Sequence, residues 1–241
     1  MRIAKEVTRD LIAKAGLGRL HLSVRKLRGQ NVDHLYRQTL AERFSAIYEN
    51  KVWLNGRSSG SLSGLGSNLE STNDVRDRLS ELLKSLDICS LLDVGCGDFT
   101  WMKEVSFPFT YLGIDIVPEV IAANNAHYRS DRRSFQVLDA TSDLLPSAGT
   151  ILCREVLFHL SFSDIGLLLK NVRQSGASFF IATNDNSLKY NADIRSGDFR
   201  LLNLHRAPFN LPVSHQSIPD AGVAEFRTLS AWRLADLPDH P

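Results

Sequence analysis

Residues 91–99 read LLDVGCGDF: an apolar run closes on Asp93, and glycines follow at 95 and 97. The run has strand texture, and the residues after Gly97 are compatible with a helix. Glycines at such a strand-to-helix turn adopt backbone conformations other residues avoid, and they let a ligand approach the main chain closely. Asp93, ending the run, is expected to point into the crevice where open α/β sheets bind ligands. The stretch therefore predicts a buried strand that opens onto a ligand site.

The pattern repeats downstream. TYLGIDI ends in Asp115, eighteen residues after Gly97, and SFQVLDA ends in Asp139. TILCREV and SFFIATN complete a series with ICSLLDV, each of about strand length and without clean two-residue alternation, as strands buried on both faces are. Helical spacing falls between them, near 101–106, 118–128 and 163–174. Strand and helix in alternation predict an α/β fold with a parallel sheet covered on both faces. An acid at the distance of Asp115 is placed to accept hydrogen bonds from both hydroxyls of a ribose, and Asp139 is placed to meet an adenine amine.

Two nucleoside cofactors fit this series. A dinucleotide needs backbone amides for a pyrophosphate, ordinarily through a third glycine. Here Asp98-Phe99-Thr100-Trp101 follows Gly97, and Asp98 would repel a diphosphate. S-adenosylmethionine (SAM) has no phosphate, and its ammonium and sulfonium suit nearby acids. The residues favour SAM, with a nicotinamide-dependent or non-catalytic cofactor-binding protein as the alternative.

On the N-terminal side, Leu35, Leu40, Phe44, Ile47 and Tyr48 recur near the helical period and predict one helix from Asp33 to Trp53. The stretch GRSSGSLSGLGSNLEST, 56–72, follows, and a second helix is expected to start near Ser71 or Thr72 with a hydroxyl cap. By composition 56–72 is a linker. Its leucines, Leu62, Leu65 and Leu69, exceed what a solvated linker needs, and it leads into the helix before the first strand. It is therefore expected to be a lid, with Ser63 and Ser67 turned toward the cofactor's carboxylate and Ser61 and Gly64 near the Gly95–Gly97 turn. Residues 1–70 are expected to form a helical extension with this loop, and 71–241 the main domain. After Asn184, DIRSGDFRLLNLHRAPFNLP is either an ordinary structured loop or a specificity loop carrying Asp198, Arg200, Asn203 and His205. EFRTLSAWRLADL predicts a last strand, added antiparallel at the sheet's edge.

The composition is ordinary: 43% hydrophobic, 23% charged and net charge +1. It gives no electrostatic basis for nucleic-acid binding, and no apolar run approaches the roughly 20 residues that span a bilayer. Residues 1–28 are locally basic, with Lys5, Arg9, Lys14, Arg25 and Lys26 among apolar residues; they are either a solvated helix on the domain's flank or a segment in weak contact with a membrane surface. Cys89, Cys96 and Cys153 lack metal-ligand spacing, so no metal site is expected. They read as reduced thiols in or near the core, and hence a cytoplasmic chain.

LLDVGCGDF, GIDIV, LDAT and LCREVLFHLSF, in this order over 88–184, resemble the ordered motifs of class I SAM-dependent methyltransferases. The segments Trp53 to Thr72, Leu92 to Val105 and Gly197 to Phe209 further resemble a bacterial subgroup of that class, with an SGxGS loop and a CGDFxWMKEV stretch. The resemblance implies a Rossmann-like fold: a mostly parallel seven-stranded sheet, helices on both faces and an antiparallel edge strand. It implies that Asp93, Gly95 and Gly97 shape the methionine end of the site. Asp115 and its neighbour Ile116 fall on the ribose, and Asp139 with Ala140 by the adenine. Phe99 stands where many members have a third glycine and implies a bulkier wall beside the cofactor.

Methyl transfer from a sulfonium needs positioning and, for an oxygen acceptor, removal of a proton. Arg154 and Glu155 leave the fourth strand where cofactor or substrate lies. His159 stands four residues after Glu155, so the two could share a helical face as a base and its orienting partner; the alternative is a histidine that only packs beside the cofactor. The expected acceptor is an oxygen or nitrogen of a polar small molecule or saccharide, with RNA or protein as the alternative.

Overall fold

The structure, a computed structural model, describes residues 18–106 and 108–238. Strands β1 (Ser90–Val94), β2 (Thr110–Asp115), β3 (Arg133–Val137), β4 (Thr150–Cys153), β5 (Phe179–Asp185), β6 (Gln216–Pro219) and β7 (Arg227–Arg233) form one sheet in the order β3-β2-β1-β4-β5-β7-β6. The first five are mutually parallel, whereas β7 runs antiparallel to β5 and to β6. The chain proceeds outward from β1 to β3 and then crosses back to β4. The carboxyl ends of β1 and β4 therefore flank the switch point, where such sheets hold ligands.

Burial explains which strands the sequence displays. β4 is buried throughout, and β1 and β5 are buried beyond their first residues, so they read as continuous apolar runs. β3 is an edge strand in which only Phe135 is fully buried. β7 is the expected antiparallel addition, but it lies inside the sheet. The edge belongs to β6, whose half-exposed QSIP gives no apolar signal.

Among the described residues the helices are α1 (Gly18–Leu27), α2 (Leu40–Glu49), α3 (Asn73–Ser85), α4 (Pro118–Tyr128) and α5 (Phe162–Gln174). The single helix expected over Asp33–Trp53 is divided into a 3-10 turn (Asp33–Tyr36), α2 and a second turn (Val52–Leu54). Thr39 makes the division: its hydroxyl accepts the Glu42 N–H while the Glu42 carboxylate accepts the Thr39 N–H, a reciprocal cap that starts a new helix. The helix expected at 101–106 is only a 3-10 turn, Met102–Glu104. α3 starts beside Thr72, but the Thr72 hydroxyl donates to the carbonyls of Asn68 and Leu69 instead of capping the helix.

Two cores cover the sheet. One packs Ile165, Leu168, Leu169 and Val172 of α5, with Leu201, Leu202, Leu204 and Phe209, onto one face. The other packs Val75, Leu79, Leu82 and Leu83 of α3, with Phe99, Trp101 and Met102, onto the opposite face. Each such side chain contributes about 1.5–3 kcal/mol of transfer free energy. Cys96 and Cys153 are buried, whereas Cys89, just before β1, is exposed. Lys5, Arg9 and Lys14 lie outside the described residues. α1 turns Leu22 toward Val32 and Leu35, leaves Leu20 and Leu27 exposed, and pairs Arg25 with Asp198. No helix among the described residues is long and apolar enough to cross a membrane.

Candidate active site

The Gly/Ser stretch is docked on the turn after β1. Asp98 organises the contact: its carboxylate accepts the Ser61 hydroxyl at 2.8 and 2.9 Å and the Leu62 N–H at 2.6 Å, while its own N–H donates to Ser63 Oγ at 2.9 Å. Ser63 Oγ also bonds the Tyr48 hydroxyl at 2.8 Å. A Cβ on Gly97, which sits at φ +57°, would lie 2.2 Å from Ser63 Oγ, so glycine there permits the loop's approach. Farther along, the Gly66 carbonyl accepts from Arg154 at 2.7 Å. A solvated tether makes none of these contacts.

Behind the loop lies an open cleft along the carboxyl ends of β1 to β4. It brings together Gly95, Asp115, Ile116, Asp139, Ala140, Arg154, Glu155, His159, Ser63 and Ser67. Asp115 is 8% exposed; its two carboxylate oxygens accept the N–H groups of Gly97 and Val117, both at 3.1 Å. Burial pushes this carboxyl up to about 6. Asp139 Oδ1 accepts from the Thr141 N–H and hydroxyl, which fixes the turn beside Ala140.

Three residues expected at the cofactor are placed differently. Asp93 is not among the residues lining the cleft; it is buried, accepts the Tyr111 hydroxyl at 2.7 Å and is raised to about 7 by burial. Gly97 lies under Ser63 rather than on the cleft wall. Phe99 is not a wall: at φ +57° its ring turns into the opposite core, against Tyr111, Tyr128 and Phe135.

At the end of β4, Arg154 donates to both oxygens of Asp220, at 2.9 and 2.8 Å, and lies 4.7 Å from the Trp101 ring centroid. Glu155 adopts φ +64°; both its oxygens accept from Arg227 Nη1, at 2.9 and 3.0 Å. Glu155 and His159 do not form the expected pair. The positive φ and the 3-10 turn Leu157–His159 replace the α-helix that would have aligned them, and each takes another partner. His159 Nδ1 lies 3.0 Å from the Asp198 carbonyl oxygen. A carbonyl only accepts, so Nδ1 carries the hydrogen and Nε2 the lone pair. Burial pushes His159 down to about 4.

The polar excursion does not line the cleft. Arg200, 1% exposed, donates to the carbonyls of Ala192, Leu157 and Leu160. Asn203 is buried, and Asp198 holds His159 and Arg25. The segment braces the turn that carries His159, so its side chains give no reason to favour a saccharide. Sequence reasoning missed Leu40, Phe44, Tyr48 and Trp53, which form the cleft's outer wall. Leu40, Phe44 and Tyr48 recur at four-residue steps on α2, a stripe that reads equally well as core. Among the described residues no cluster of three or more His, Cys, Asp or Glu could hold a metal.

No protein-family profile and no curated protein matches the chain. Solved structures do. Human N-acetylserotonin methyltransferase in complex with SAM superposes with a TM-score of 0.58 at 15% identity, over 90% of this chain and 69% of that one. The PH0226 protein of Pyrococcus horikoshii OT3 gives 0.52 at 15% identity, over 67% and 88%. At these identities the likeness establishes the fold, the Rossmann-like arrangement found in class I methyltransferases.

Proposed function

We propose that the chain is a SAM-dependent methyltransferase that methylates an oxygen or nitrogen of a small-molecule acceptor. The observation that carries this reading is one cleft at the sheet's switch point. It gathers Gly95 after β1, Asp115 after β2, Asp139 and Ala140 after β3 and Arg154 after β4. Bound SAM would supply a methyl group already activated on sulfur. Asp115 accepts the ribose hydroxyls with the lone pairs its two backbone contacts leave free, and Ile116, Asp139 and Ala140 flank the adenine. Ser63, Ser67 and the remaining N–H groups of Arg154 take the methionine carboxylate, under the docked 56–72 loop acting as a lid. His159, neutral at neutral pH, receives the acceptor's proton at Nε2, and the Asp198 carbonyl fixes its tautomer. Glu155, held by Arg227, shapes the floor between them. That SAM is bound by a structure sharing the fold is consistent with this assignment.

Calorimetry with SAM, S-adenosylhomocysteine and NAD tests the cofactor. Both adenosyl ligands are expected to bind and NAD to give no heat; tight NAD binding with no response to either adenosyl ligand would overturn the reading.

A further inference from the structure

We propose that the acceptor is a neutral aromatic ring bearing a hydroxyl, laid against Trp53 with its hydroxyl at His159 Nε2. This rests on the methyltransferase reading and assigns the acceptor half of the same cleft.

The outer wall is aromatic. Trp53 is the hub, with ring centroids 4.8 Å from His159, 5.5 Å from Tyr48 and 6.1 Å from Phe44. Leu40 completes the wall. Such faces favour a flat ring in offset or edge-to-face contact.

The charges nearby are already answered. Arg154 is matched by Asp220 and Glu155 by Arg227, all four side chains at most 17% exposed. The imidazole is held neutral. A phosphorylated or ammonium-bearing acceptor would enter this half of the cleft without an unpaired opposite charge to meet it.

Free hydrogen-bonding atoms are few. The Tyr48 hydroxyl is engaged by Ser63 Oγ, and both Glu155 oxygens accept from Arg227. His159 Nε2 makes no hydrogen bond within the described residues. A monosaccharide would bring several hydroxyls and leave most unpaired, which disfavours it. A ring with one hydroxyl needs one acceptor, and Nε2 supplies it.

The transfer balances. The acceptor oxygen forms a bond to the methyl carbon as the carbon–sulfur bond breaks, and that electron pair stays on sulfur. The hydroxyl proton passes to Nε2 and then to solvent. The products are an aryl methyl ether and S-adenosylhomocysteine.

The test is calorimetry of the S-adenosylhomocysteine-loaded protein with 2-naphthol, 7-hydroxycoumarin, methyl glucoside and putrescine, together with methyl transfer from labelled SAM. The two ring compounds are expected to bind. Trp53→Leu is expected to weaken them by about tenfold or more, as loss of an aromatic contact does, while keeping S-adenosylhomocysteine affinity, which also reports folding. His159→Gln is expected to keep ring binding and lose methyl transfer by roughly 10²–10⁴-fold. Failure of both ring compounds to bind a protein that holds S-adenosylhomocysteine would overturn the proposal, as would equal binding by Trp53→Leu. If the adenosyl ligand itself fails, the same titration without it separates the two readings: Trp53-dependent ring binding keeps the acceptor site and removes the cofactor.

Discussion

Asp115 shows what a single carboxylate does when its environment is fixed by backbone. Two N–H groups orient it, and burial raises it to about 6. Asp115→Ala should remove hydrogen bonds to a charged group worth roughly 1.5–3 kcal/mol, about 10–150-fold in SAM affinity; calorimetry showing unchanged affinity would refute the ribose assignment. Protonation removes the same acceptor, so affinity should also fall as pH drops below about 6. The stability effects have opposite signs. Asp115's folded value lies above its ordinary 3.8, so its stabilising contribution is present below 3.8 and lost as pH rises through about 6. His159's lies below its ordinary 6.5, so its contribution is present above 6.5 and lost as pH falls through about 4. Weaker binding at pH 5 is thus the Asp115 signature if Asp115→Ala flattens the profile. Asp115 was legible in position because β2 ends on it, at the edge that faces the cleft, whereas Asp93 lies one residue short of the end of β1 and is buried against Tyr111. Phe99 was not legible, because a residue's place in a motif does not reveal the sign of φ that turns its ring to the opposite face.

At the scale of elements, the 56–72 loop is held less by its own structure than by Asp98. Glycines and serines without a partner would stay mobile, yet two donors from this loop, the Ser61 hydroxyl and the Leu62 N–H, reach one carboxylate. Asp98→Ala should release the loop by at least ~2 kcal/mol, given about 1.5–3 kcal/mol for a hydrogen bond to a charged group. Amide exchange across 57–70 should then quicken by roughly 30-fold while β5 stays protected. Unchanged exchange in the loop would show that Asp98 does not hold it. Composition suggested a linker, and the contact with Asp98 instead fixes the loop on the turn after β1. The same holds for 193–213. Its polar letters suggested a pocket lining, but Arg200 satisfies three carbonyls inside the fold, a role composition cannot distinguish from ligand binding.

Across the whole molecule, the cleft depends on segments far apart in sequence. α2 supplies the aromatic wall, β1 to β4 the end proposed for the cofactor, and the β6–β7 hairpin the two charges that neutralise Arg154 and Glu155. The strands were legible because each is a local apolar run, but the pairing of Arg154 with Asp220 spans 66 residues and Glu155 with Arg227 spans 72, and no local pattern encodes either. Arg154 and Asp220 have side chains only 3% and 2% exposed, so removing one strands the other away from water. Asp220→Ala should therefore cost about 3–5 kcal/mol, which lowers the melting temperature by roughly 6–20 °C in a domain of this size. Removing both charges is a different perturbation. An apolar pair of similar volume in place of a buried ion pair is often neutral, so Arg154→Met with Asp220→Leu should recover most of the loss. The double variant should still bind SAM more weakly, because the cation proposed for the methionine carboxylate is gone. Thermal melts with and without S-adenosylhomocysteine separate these effects: recovered stability with reduced ligand protection is expected. A double variant as unstable as Asp220→Ala would mean the pair stabilises the fold by more than mutual neutralisation.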